Sequence, residues 1–165
     1  MDNRPVISDL ERFRHLDQDE VMLDLYVRDT SLVDWEKFLN FLIASSHWVA
    51  TLSGPAGTHP IAKANIGNVL KRISTDDSVD TLNVSAEGVS LTSHFIDEGE
   101  IELNLSASTV RDSDQLYVLM DFMSDLSVAL TREVKLTYEA PDGDSANALL
   151  LAKESGEVSV GPELV

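Results

Sequence analysis

The sequence contains no cysteine, which excludes disulfides, thiolate metal sites and cysteine nucleophiles and is what a reducing compartment permits. Long apolar runs are also missing. The longest, LYVLM and ALLLA, stop at five residues, far short of the ~20 that span a bilayer. The opening MDNRPVISDLERFRHLDQDE lacks the basic-then-apolar layout of a secretory leader. A cytoplasmic location is therefore expected, and the sequons at Asn83 and Asn104 are expected to go unused.

Positive charge is the scarcest commodity. Twelve Lys and Arg, only five of them Lys, face 29 Asp and Glu, and the net charge is −17. Such a field opposes nucleic acid and anionic membranes. Two situations make it tolerable. A salt-rich cytoplasm would screen it, the Debye length falling to about 3 Å at 1 M salt. A basic protein partner would use it for steering.

Catalytic patterns are lacking too. His15, His47, His59 and His94 fall in four different segments, with no HExxH motif among them. PDGDSANALLLAKE offers Asp142 and Asp144 but carries Asn147 and Lys153 where a calcium loop needs Gly and Glu. No G-x-S-x-G elbow occurs. No catalytic residue, metal site or cofactor is expected. GPAGTHPIAK is the one segment with a hint of anion chemistry. If it opened onto a helix, backbone N–H groups near Gly57 and Thr58, with Lys63, would face a phosphate. Pro60 removes one N–H from that cradle.

What the chain does contain is periodicity. Residues 1–20 are charged and uneven, with Ser8 and Glu11 at capping-box spacing before a short helix. Residues 21–165 read as one α+β domain. Val21, Leu23, Leu25 and Val27 alternate with polar partners as a half-buried strand. A helix capped at Thr30 or Ser31 follows, with Leu32, Trp35, Phe38, Leu39, Leu42 and Ile43 as its apolar stripe. HWVATLS is a second strand, and a helix is expected from Pro60. Three strands alternate through residues 82–107, divided by Glu87-Gly88 and Glu98-Gly99. A long helix over about 112–129 leads to the strand REVKLTYEA and a short C-terminal β extension at Val158–Val160.

Strand–helix–strand thus occurs at 21–53 and again at 100–139. A βαβ unit used twice predicts a two-layer sandwich on a ferredoxin-like plan, with an inserted helix and β-hairpin. Two layers require the alternate strand residues to be polar. They are: Asp24, Tyr26, Asn83, Thr92, Glu102 and Asn104 belong to that set. This face is a candidate platform for a partner, with Tyr26 its aromatic anchor. On the second long helix Asp114, Asp121 and Asp125 oppose the leucines and form a second candidate surface.

The functional expectation is a non-enzymatic acidic interaction domain of regulator, adaptor or inhibitor type, receiving a basic protein on the polar sheet face or the acidic helix stripe. The competing expectation is a small-molecule-binding domain or modest enzyme whose acidity serves a salt-rich cytoplasm. An unpaired sheet edge also leaves a homodimer open.

Overall fold

A computed structural model describes residues 22–55, 57–75, 80–95, 97–138 and 148–161. The expected N-terminal helix and the Asp142–Gly143 turn lie outside the described residues. The elements in chain order are β1 (Met22–Arg28), α1 (Leu32–Ala44), β2 (Val49–Gly54), β3 (Gly57–Pro60), α2 (Ile66–Ser74), β4 (Thr81–Ala86) and β5 (Val89–Ser93). They continue with β6 (Glu100–Ser106), α3 (Ser113–Leu130), β7 (Val134–Tyr138), β8 (Leu150–Ala152) and β9 (Val158–Val160).

The alternating segments form one nine-stranded sheet in the order β3-β2-β4-β5-β6-β1-β7-β8-β9, and every pairing is antiparallel. Alternation settles which way each strand faces. Leu23, Leu25 and Val27 on β1, Val84 on β4, Leu91 on β5 and Leu103 on β6 are wholly buried, while Asn83, Thr92 and Asn104 point to the opposite side. The helices supply the second layer. Trp35, Phe38 and Leu39 of α1 and Leu119, Met120, Phe122, Met123 and Leu126 of α3 join the strand residues in a single core. Phe122 lies against Trp48 at 4.6 Å and Phe41 at 6.1 Å between ring centroids, tying α3 to both ends of the α1–β2 connection.

The helix starts follow from local chemistry. Ser31 precedes α1, and the Asp34 carboxylate accepts its backbone N–H at 3.0 Å. Asp112 precedes α3 and accepts the Gln115 N–H at 3.0 Å. Asn65 does the same for α2 through Asn68, at 3.1 Å.

Two expectations are corrected. The helix placed from Pro60 begins at Ile66. Residues 57–60 instead pair with β2 as an edge strand, and Ile61–Lys63 form a 3-10 turn. Pro60 ends that strand on the sheet's outer edge, where a missing N–H leaves no ladder bond unmade. The ferredoxin-like plan does not describe the sheet either. Four antiparallel steps make β1 and β2 parallel, and two make β6 and β7 parallel, so both crossovers exist. But β6, β5 and β4 all lie between β1 and β2, where that plan has one strand. The β4–β5 hairpin enters the middle of the sheet rather than lengthening its edge. Its turn uses Glu87 at φ 48° and Gly88 at φ 86°, the paired positive angles of a tight hairpin.

Candidate functional site

The outer sheet face carries Asp24, Asn83, Thr92 and Asn104 in register, in a row that Thr51 and Thr137 close at its two ends. Thr51 pairs with Asn83, Asn83 with Thr92, Thr92 with Asn104, Asn104 with Asp24, and Asp24 with Thr137. Five interstrand steps at roughly 4.8 Å make a polar row about 24 Å long. Among the described residues, all three helices pack on the opposite side. The row is partly hydrogen-bonded within itself. The Asn104 amide donates to Asp24 Oδ1 at 2.6 Å and to Glu102 Oε1 at 3.0 Å, and the Thr92 hydroxyl reaches Asn83 Oδ1 at 3.5 Å.

Carboxylates gather at one part of this face. Asp24, Glu100 and Glu102 lie on the adjacent strands β1 and β6, and Asp97 lies in the turn before β6. Glu100 feels the crowding. Its pKa is raised above the ordinary 4.5, first by burial, then by Glu102, with Asp97 and Asp24 adding and Arg28 opposing. Arg28 Nε reaches only 4.0 Å from Glu100 Oε2. A small recess of about 150 Å³ opens beside Glu100, Glu102 and His94. A shallower one of about 620 Å³ continues past Thr92 and Ser106.

Two outward residues differ from expectation. Tyr26 is 6% exposed and Thr137 1% exposed. Tyr26 is therefore no projecting anchor. Its ring lies beneath the Arg28 guanidinium, 4.9 Å from the centroid, and borders a separate recess at the β1 and β7 ends. Alternation reports which face a side chain takes, and carries no information on whether that face is covered.

The acidic stripe of α3 lies on the other layer, so the two candidate surfaces are not one site. Asp114, Asp121 and Asp125 are all exposed. Burial, and then Asp121, raise the Asp125 pKa above its ordinary value, with His47 opposing. His47 Nε2 stands 3.5 Å from Glu87 Oε2. A furrow of about 600 Å³ runs beside Glu87, Asp112, Asp114, Tyr117 and Asp121, and no Lys or Arg lines it.

The anion-binding candidates do not converge. Gly57 and Thr58 are residues of edge strand β3, the Thr58 hydroxyl is engaged with Ser53 at 3.0 Å, and Lys63 ends the 3-10 turn. The segment does not open onto a helix, so the backbone cradle is not formed. Among the described residues no group of His, Asp or Glu is placed to hold a metal ion, and no helix is long and apolar enough to cross a membrane.

Sequence reasoning did not single out Glu100, although the Glu100–Glu102–Asn104 alternation contained the signal. It also missed the pairing of Asp34 with Arg132, for which no local signal exists. The chain matches no family model, no curated protein and no solved structure.

Proposed function

We propose that this protein is a non-enzymatic interaction domain whose outer sheet face receives a basic segment of another protein. One observation carries the reading: the register row from Thr51 to Asp24 lays hydrogen-bonding groups across five strands, beside the Asp24–Glu100–Glu102–Asp97 carboxylates. Burial and then carboxylate repulsion raise the Glu100 pKa; lysine or arginine side chains arriving there would relieve the repulsion, and the Asn and Thr groups would meet a partner's polar atoms. The −17 charge would speed the encounter.

The test is affinity capture from the native cytoplasm at low and high salt, with the wild type and two variant pairs. Asp24→Asn with Glu102→Gln should lose a basic protein that the wild type retains, and molar salt should release it. Asp121→Asn with Asp125→Asn should retain it. Loss with the α3 pair alone would move the docking surface to the helix stripe. A lone monomer under all conditions would overturn the proposal and favour acidity as an adaptation to salt.

A further inference from the structure

Three of the chain's scarce cations surround one recess. Arg28, Arg132 and Lys135 line a hollow of about 280 Å³ whose wall includes the largely buried Tyr26 ring. The α3 furrow differs, since all the charged residues lining it are carboxylates.

These cations are held differently. Arg132 is oriented from behind. Its Nε pairs at 3.3 Å with Asp34, which is itself 5% exposed and fixed by the Ser31 N–H at 3.0 Å. Beyond Asp34, Arg132 makes no side-chain hydrogen bond or ion pair among the described residues. Arg28 is spread over the Tyr26 ring. Lys135, in register with Tyr26 on the neighbouring strand, has no ion pair or side-chain hydrogen bond among the described residues.

The same recess is bordered by three carboxylates, Asp29, Glu133 and Glu154, and none of them is paired with those cations or with any other described residue. Both signs therefore face one cavity without closing on each other. A dianion such as a phosphate would gain from the cations but would meet these carboxylates and the field of a −17 chain. A molecule of zero net charge carrying one anion and one cation meets neither penalty.

We propose that this recess is a binding site for a small zwitterion of the α-amino-acid class. Lys135 and the Arg132 guanidinium hold the carboxylate, and Glu133 or Glu154 holds the ammonium. The recess lies towards the β1 and β7 ends of the same outer sheet face, and the proposal does not depend on protein docking there.

The test follows the amide resonances of the isotopically labelled full chain while free α-amino acids are titrated to millimolar concentration. The N-acetylated and C-amidated forms of the same amino acids serve as single-charge controls. Saturable shifts at Tyr26, Glu133 and Lys135 are expected with the free amino acids, and each control should bind about tenfold more weakly or worse. Lys135→Gln, a half-exposed position, should abolish the shifts and leave the melting temperature close to wild type. Equal binding of the N-acetylated form would reduce the site to an anion pocket and overturn the assignment. So would the absence of saturable shifts from every free amino acid, or unchanged binding by the Lys135→Gln variant.

Discussion

The carboxylate of Asp34, in the first turn of α1, lies 3.3 Å from Nε of Arg132, in the turn joining α3 to β7. One side chain thereby accepts the Ser31 N–H, answers the positive end of the α1 dipole and fastens α1 to the far end of α3.

Asp34→Ala removes these roles together and should cost about 2–3 kcal/mol. Arg132 is partly solvated, which keeps the loss below that of a fully buried pair. Asp34→Asn keeps the N–H acceptor and should lose less. Urea unfolding midpoints at constant slope measure both.

Thr137 sits at the end of the polar row with its hydroxyl buried and, among the described residues, without a hydrogen-bond partner. An isosteric change to Val deletes the unsatisfied group and leaves the shape unchanged. Thr137→Val should therefore be neutral or stabilising by about 1 kcal/mol, read as a rise in the thermal midpoint. A drop of that size would show that the hydroxyl has a partner.

Glu100 and Asp125 both have raised pKa values, for which burial is the first cause. In each case the native state binds a proton more tightly than the unfolded chain. The stabilising contribution is thus full below the unfolded value, 4.5 for Glu100 and 3.8 for Asp125, and is lost as pH rises through the folded one. Glu100→Gln and Asp125→Asn should each raise the melting temperature at pH 7, and their advantage over the wild type should shrink as pH falls towards 4. Melting curves across that window decide it.

Phe122 makes its ring contacts with Trp48 and Phe41 at full burial. Phe122→Ala should cost about 3–5 kcal/mol. Loss of the near-ultraviolet circular dichroism of Trp48 would report the same site.

Much of the fold was readable because two periods stay clean along the chain. Leu103 and Leu105 alternate with Glu102 and Asn104, and the leucines and methionines of α3 recur at helical spacing, so the faces of these elements are as expected and their ends lie within a residue of the expected ones. β3 was hidden by its composition: GTHP reads as loop, and only an edge position tolerates it. The insertion of β4 and β5 between β2 and β6 had no local trace, since strand order depends on which edges meet. The candidate site was half legible. Alternation put Asp24, Asn83, Thr92 and Asn104 on one face, and the coordinates were needed to find them in one row. The cations at Tyr26 come from segments far apart in the chain, and no spacing rule links them.

The strand order also has a consequence for how the chain is made. β1 is near the sheet's middle, yet its two neighbours are β6 and β7, both from the second half of the sequence. On the ribosome β1 emerges early and stays without a hydrogen-bonding neighbour until β6 is synthesised, gaining its second only with β7. Its apolar side, Leu23, Leu25 and Val27, must be kept from other chains throughout that interval, which makes synthesis the period of greatest aggregation risk.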